Sequence, residues 1–339
     1  MHMADALLSP AVGILMIAVS VVLIVFSAYK MKQEGFDEKK IPMMGVLGAF
    51  VFAAQMINFT IPGTGSSGHI GGGILLAALL GPYATVLVLA CVLLIQCLFF
   101  ADGGLLAIGC NIFNMGICAA LIAYPLIFRP IIRKNLNAKT ITIASVLAVV
   151  TGLQLGAFCV VLETLASGVT ELPFGTFVIL MQPIHLAIGI VEGLITAGVL
   201  IYVLKARPEL IGSAASAKPL GDVSLKNVAL TLLVAALIIG VIVSLFASGY
   251  PDGLEWSIEG VTGSTEIDRA GGIYDTAAGI IDTTAFLPDY AFRSDGEDGS
   301  IAGTSTSGFI GSILTLALAV IAGLAVTAFL KHKKTDKNA

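Results

Sequence analysis

The sequence predicts an all-α integral membrane protein, and three observations lead there. The 339 residues are 57% hydrophobic and only 12% charged, with a mean hydropathy of +0.98, beyond the range of soluble domains. The charges are segregated. They leave apolar runs at roughly 11–29, 42–61, 73–100, 105–127, 140–165, 174–203, 228–247 and 307–330, most of them near the ~20 residues that cross a hydrocarbon layer as a helix. Lysine and arginine also cluster, and loops almost free of them lie between the clusters, as in proteins oriented by their cytoplasmic charge. A length that would suggest two soluble domains here gives about nine crossings. The formal net charge of −4 decides little, because the position of the charges matters more.

The first apolar run has no basic residue before it, and Lys30 comes after it. A secretory signal peptide has the reverse order, so the first helix is expected to be retained with its N-terminus outside. Four basic groups mark cytoplasmic segments: Lys30, Lys32, Lys39 and Lys40; Arg129, Arg133, Lys134 and Lys139; Lys205, Arg207, Lys218 and Lys226; and Lys331, Lys333, Lys334 and Lys337. The C-terminus is therefore expected to be cytoplasmic. This places 62–72 outside and 128–139 inside, so an odd number of crossings must separate them, yet only two runs are evident. A break at Gly81-Pro82 resolves the parity, giving a short helix over 73–81 and a full one over 83–100. Nine residues rise only about 14 Å, half a bilayer. The glycine-rich stretch Pro62–Gly72 must then dip into the membrane to meet the short helix. Irregular backbone is tolerated at that depth only beside protein or a polar cavity, so the dip marks a site, and it carries His69.

Residues 1–204 read as a seven-crossing, substrate-binding helical bundle. Residues 205–227 form a polar cytoplasmic linker in which Gly212–Lys218 resembles a flexible tether. Residues 228–339 are a second module, two helices flanking an external segment of about 249–306. That segment is acidic, with Arg269 and Arg293 its only positive charges.

Cys91, Cys97, Cys110, Cys118 and Cys159 all lie inside apolar runs without metal-site spacing and read as small packing residues. Of the four histidines, His332 belongs to the basic tail. His2 has a specific chemical consequence. A free α-amine on Met1, the deprotonated amide nitrogen of His2 and its Nδ1 can chelate one ion in fused five- and six-membered rings. Three coplanar nitrogens then await a fourth, for which His69 is the natural donor, and such planar nitrogen coordination suits Ni²⁺ or Cu²⁺. His185 and Glu192 are seven residues apart on one helix face. Intramembrane ionisable groups face a cavity or a partner, so the pair reads equally as a packing hydrogen bond or a place on an ion path, with Glu192 the only deep acid. Gly189 and Gly193 form a GxxxG that suggests close helix packing. Asn111 and Asn114 share a face and read first as interhelical hydrogen-bonding groups, alternatively as cavity lining; Gln55, Asn58, Gln96 and Gln154 are weighed the same way, and Ser67 neighbours the His69 dip. Gly63–Gly68 lacks the GK[ST] of a phosphate loop, and no HExxH or nucleophile–base pair is present. An enzyme that hydrolyses ATP by that route is excluded, and nothing implies an organic cofactor or a nucleic-acid partner.

Taken together, Met1-His2, Ser67-Gly-His69-Ile-Gly-Gly-Gly73, Asp102-Gly-Gly-Leu-Leu106, Gly109-Cys-Asn-Ile-Phe-Asn-Met-Gly116 and His185-Leu-Ala-Ile-Gly189 resemble the CbiM/NikM family. These are the substrate-specific components of nickel and cobalt energy-coupling-factor importers. Pro251-Asp-Gly-Leu-Glu-Trp256 and Phe286-Leu-Pro-Asp-Tyr-Ala-Phe292 resemble the small N component of the same systems. The resemblance implies Met1, His2 and His69 as ligands of a transported Ni²⁺ or Co²⁺, a transmembrane coupling subunit and cytoplasmic ATPases as partners, and a second module that assists metal loading. Two rivals follow from the residues alone. A self-sufficient secondary transporter would have inverted repeats and a chain of mid-membrane carboxylates. A membrane metal sensor or enzyme would use His185 and Glu192 without the N-terminal amine.

Overall fold

In lipid every backbone polar group must find its partner inside the protein, which leaves helices as the building material for such apolar runs. The computed structural model describes residues 1–33, 37–295 and 300–335, with side chains described as far as 328. Lys337 and the side chains of Lys331, His332, Lys333 and Lys334, the last basic group, lie outside the described residues. The chain is helical nearly throughout. Helix α1 spans Pro10–Gln33, α2 Ile41–Gln55, α3 Gly73–Leu80, α4 Pro82–Phe100, α5 Ile108–Lys134, α6 Ala138–Ser167 and α7 Phe174–Ala206. The C-terminal half contributes α8 (Pro208–Ser216), α9 (Lys226–Val241), α10 (Gly253–Thr262), α11 (Ile273–Thr284) and α12 (Ile301–Thr335). Within α5, Ile112–Phe128 is wound in the wider π register.

Among the described residues, six helices are long and apolar enough to cross a membrane: α1, α4, α5, α6, α7 and α12. The nine expected crossings therefore do not all appear as full-length helices. The run 42–61 yields only the 15 residues of α2 before turning into a β-hairpin, and the run 228–247 yields the 16 of α9 before a tight 3₁₀ turn at Val243–Phe246.

The side-chain pattern is that of a bilayer protein. On α1, Ile14, Leu15, Val21, Val22 and Val25 are exposed, whereas Gly13, Ser20 and Ser27 are buried. Small and polar residues facing the protein with aliphatic ones facing out is the arrangement expected when lipid, not water, surrounds the helix. Ser20 closes this seam by donating to the Gly109 carbonyl at 2.6 Å. The GxxxG acts as expected: Gly189 and Gly193 sit against the main chain of α6 at Val150 and Val146.

The break at Gly81 is where the parity argument requires it. Gly81 has φ +92, open to glycine and strained for other residues, and Pro82 starts the next helix. Ahead of α3 the glycine-rich stretch forms a small antiparallel hairpin, β1 (Phe59–Ile61) with β2 (Ser66–Gly68), Phe59 facing Gly68. The chain then passes His69 and enters α3, whose side chains are all buried.

One feature differs from the sequence expectation. Gly212–Lys218, expected as a flexible tether, is helical as far as Ser216. Pro208 at the first turn and buried Leu210, Ile211, Ala214 and Ala215 make α8 an amphipathic helix packed against α3, α5 and α7, held by Arg129 and Arg133, which both donate to the Ala215 carbonyl. The second module packs onto the first: α9 and α12 pack against each other and against α2, with Leu316 and Val320 against Gly45 and Thr315 and Ala319 against Gly48.

The crossing of α1 and α5 positions everything that follows. A Cβ on Gly109 would fall on the main chain at Met16 and Ile17. Gly109→Leu should therefore force the two helices apart, at a cost of about 1–3 kcal/mol, read as a lower thermal midpoint of the chain in detergent, whereas Gly175→Leu, with open space at its Cβ position, should not.

Candidate metal centre

The first eight residues turn back into the bundle because their apolar side chains are buried there: Met3, Leu7 and Leu8 are at most 2% exposed. Their backbone is then held peptide by peptide. The Met3 amide donates to Asn111 Oδ1 at 2.7 Å, and the Met3 carbonyl accepts from Asn111 Nδ2 at 3.2 Å and from the Gly104 amide at 2.9 Å. Asp5 accepts from the Ala107 amide at 2.9 Å, a carboxylate at the start of α5 where the helix dipole favours negative charge. Any side chain on Gly104 would collide with Asp5, so the Asp102-Gly-Gly turn owes its glycine to this close approach.

Met1 and His2 are thereby brought against His69. The Met1 amine lies 3.0 Å from His69 Nε2, and the rings of His2 and His69 stack with centroids 5.1 Å apart at 20°. His2 Nε2 is 3.2 Å from Gln96 Oε1, and His2 Nδ1 is 3.2 Å from Asp102 Oδ1. A neutral imidazole carries one N–H and serves only one of these two oxygens. With the Gln96 carbonyl taking the Nε2 proton, Nδ1 presents its lone pair beside the Asp102 carboxylate, which suits a cation. Burial pushes the His2 imidazole below its usual value of 6.5, although Asp102 pulls it up; His69 is pushed well below the same value by burial, then by the Met1 amine and His2. Both rings are held neutral, the form that binds metal.

The amine has a second partner, Asp252, from the other half of the chain. Asp252 caps α10: Oδ1 accepts from the Leu254 and Glu255 amides, Glu255 returns a bond to the Asp252 amide, and Oδ2 meets the Met1 amine. Burial would raise the Asp252 carboxyl, but the Met1 amine outweighs it and holds the carboxyl well below the usual carboxylate range. The turn that carries Asp252 is fastened to the His69 hairpin. Ser67 donates from its amide to the Pro251 carbonyl at 2.8 Å and from its hydroxyl to the Tyr250 carbonyl at 2.8 Å, while Trp256 Nε1 donates to the Thr64 carbonyl at 3.0 Å. Tyr290, from the same half, donates to Asp102 at 2.5 Å.

Among the described residues, no three or more His, Cys, Asp or Glu side chains are grouped so as to hold a metal ion. A metal held here by nitrogen therefore needs main-chain nitrogen as well, which the start of the chain supplies. The other sequence candidates take separate places. Asn111 grips Met3, Ser67 holds the Asp252 turn, and Asn58 lines the outer vestibule and accepts from the Ser248 amide. Asn114, His185 and Glu192 line an inner cavity that also touches Met1 and His69. Gln55 donates to the Gly71 carbonyl and Gln154 pairs with Gln182. Glu192 is not the only deep acid: Glu163 of α6 is buried too and accepts from Asn114 at 2.7 Å. Sequence reasoning gave no role to Asp5 or to the carboxylates of Asp102 and Asp252. Asp102 and Asp252 lie in motifs that stand out by family resemblance, but no local spacing links residue 252 to residue 1.

Together these features define a mostly helical membrane protein whose first residues are folded into a buried cluster of nitrogen donors flanked by carboxylates. The chain belongs to the CbiM family, described as the cobalt uptake substrate-specific transmembrane region, which matches residues 2–210; a PDGLE domain matches residues 226–328. It is 34% identical over 333 residues to a putative fused nickel transport protein NikMN of Archaeoglobus fulgidus, covering 97% of this chain and 99% of the relative. It is 28% identical over 360 residues to the fused nickel transport protein NikMN of Rhodobacter capsulatus, covering 98% of each chain. A crystal structure of a transition metal transporter aligns with TM-score 0.53 and 32% identity when truncated, covering 61% of this chain and 99% of that one.

Removing the Asp252 carboxylate leaves a buried ammonium group unpaired, at a cost of about 3 kcal/mol. Asp252→Ala should lower the thermal midpoint in detergent and loosen the 250–256 turn. Trp256, the only tryptophan, reports the second effect directly: its emission should shift to the red.

Proposed function

We propose that this chain is the substrate-binding transmembrane subunit of a Ni²⁺ or Co²⁺ importer of the energy-coupling-factor type. It captures the ion outside through the Met1 amine, the amide and imidazole of His2, and His69, and passes it inward with a transmembrane coupling subunit and cytoplasmic ATPases. It is a transport protein with no ATPase of its own. The observation that carries the reading is the approach of the Met1 amine to His69 Nε2 beside the stacked His2 ring. Membership in a family of nickel and cobalt transport proteins supports it.

Capture then proceeds by exchange of partners. The Met1 ammonium gives up a proton to solvent and leaves Asp252 for the metal, and the His2 amide gives up its proton likewise. His2 turns its Nδ1 lone pair to the ion, and its Nε2–H goes on donating to Gln96, fixing the ring. Asp102 and Asp252 remain next to the bound cation as compensating charges. Planar nitrogen coordination favours nickel over cobalt, which binds more weakly in the Irving–Williams order. The basic groups orient the chain with its start outside and its end cytoplasmic. The first 204 residues form the capture module, and residues 228–339 form the one that assists loading. The secondary-transporter reading has less support: no inverted repeat is evident in the sequence.

Purified native chain should bind Ni²⁺ tightly, with the yellow absorption of a planar complex. One residue added ahead of Met1, His2→Ala or His69→Ala should each weaken binding by more than about a hundredfold, the upper end of what loss of an outer-shell partner costs. An extended chain that binds as well as the native one would refute the chelate.

The pH dependence has a definite sign. Binding requires neutral imidazoles, and both are held below 6.5, so competition by their protons sets in only below that pH and weakens binding as the pH falls further. The Met1 ammonium and the His2 amide each give up a proton on binding, so affinity should rise with pH above 6.5 by about tenfold per unit for each net proton released. Titration calorimetry in buffers of different ionisation enthalpy measures that release.

A further inference from the structure

Beside the cluster of Met1, His2 and His69 lies a partly open space that the capture reading does not use. Met1, His69, Asp252, Asn114, His185 and Glu192 line it, and the rest of the lining is glycine and apolar side chains. Among the described residues no lysine or arginine lines it, and the Met1 amine is the one cationic group of that lining.

The free polar atoms around this space are acceptors. Glu192 spends Oε1 on the Gly72 amide at 2.9 Å, at the N-terminus of α3, and its Oε2 has no hydrogen-bond partner although the residue is only 2% exposed. Asn114 gives its amide protons to Glu163 and the Met3 sulfur, and its Oδ1, also buried, has no partner. His185, 1% exposed, is 2.8 Å from the Met181 carbonyl through Nδ1. That bond places the proton on Nδ1 and leaves Nε2 as a lone pair. Gly253 closes over this nitrogen; a Cβ there would lie 3.2 Å from it.

A carboxylate oxygen and an amide oxygen buried without a hydrogen-bond partner are unfavourable alone, and with the imidazole that lines the same space they suit a divalent cation of intermediate softness.

We propose that Glu192, His185 and Asn114 form a second, weaker station for the same transition-metal ion, below the capture site and on the inward side of it. The proposal rests on the reading of Met1, His2 and His69 as the capture site. The two stations differ in character: the upper is rich in nitrogen and planar, the lower mixes oxygen with one nitrogen and offers no chelate ring. The lower site therefore holds the ion less tightly, as a site that passes its cargo onward must. Glu192 also ties the stations mechanically, because Gly72, which its Oε1 holds, is three residues from His69.

Co²⁺ is the probe, since its visible spectrum reports the ligand set. In the full-length chain in detergent, His69→Ala disables the upper site. This variant should retain one Co²⁺ at least tenfold weaker than native, with a spectrum of mixed oxygen and nitrogen coordination. Adding Glu192→Gln, which keeps an acceptor for the Gly72 amide but removes the charge, should weaken that residual binding at least tenfold further. Adding His185→Ala instead should do the same and alter the spectrum. The proposal is overturned if the His69→Ala chain binds no Co²⁺, or if its residual binding is indifferent to both added substitutions. If His69→Ala binds as tightly as native and Glu192→Gln alone abolishes binding, the capture reading fails while the Glu192 station stands.

Discussion

The Met3 peptide, gripped on one side by the Asn111 side chain and on the other by the Gly104 amide, is the constraint on which the site depends. A chain terminus ordinarily frays because nothing offsets the conformational entropy lost on ordering it. Here three hydrogen bonds to the main chain of a single residue, together with the buried side chains of Met3, Leu7 and Leu8, fix the two residues ahead of it. Gly104 lies on the approach to α5 and Asn111 in its first turn, so the close crossing of α1 and α5 at Gly109 sets where Met1 and His2 stand. A metal chelate made partly of main-chain nitrogen needs that kind of anchoring, since its ligands have no rotamers of their own with which to search for the ion.

The second half of the chain reaches the same point by a different physical route. Asp252 is a helix cap, and capping alone would account for its contacts with Leu254 and Glu255. Its other oxygen, however, faces the Met1 amine, and the turn around it is bolted to the His69 hairpin through Ser67 and Trp256. One carboxylate therefore joins the start of the chain, the glycine-rich hairpin and the C-terminal module. The packing of α9 and α12 against α2 makes this a shared core, and α8 replaces a loose connection with a buried amphipathic turn.

Much of the fold was legible in the sequence. The apolar runs gave the helices, because the bilayer leaves the backbone no alternative. The break at Gly81-Pro82 followed from charge parity together with a residue pair that cannot continue a helix. The choice of His2 and His69 followed from coordination chemistry and the rarity of histidine in this chain. The lengths of α2 and α9 were not legible, because hydropathy does not register where a hairpin or a 3₁₀ turn cuts an apolar run short. The Gly212–Lys218 segment misled for a related reason: small residues make a flexible chain in water and an equally good helix surface against a packed neighbour.

By itself, then, the sequence determined that the chain is a helical membrane protein, and it singled out Met1, His2 and His69, since composition and coordination chemistry are properties of the residues alone. The tertiary structure decided what surrounds them: Asp252 on the amine, Asp102 and Gln96 on His2, and the acceptor-lined space of Asn114, His185 and Glu192 beside them. Those neighbours lie tens to hundreds of positions away along the chain. Only the crossing of packed helices brings them within hydrogen-bonding distance, and no local pattern of residues encodes that crossing.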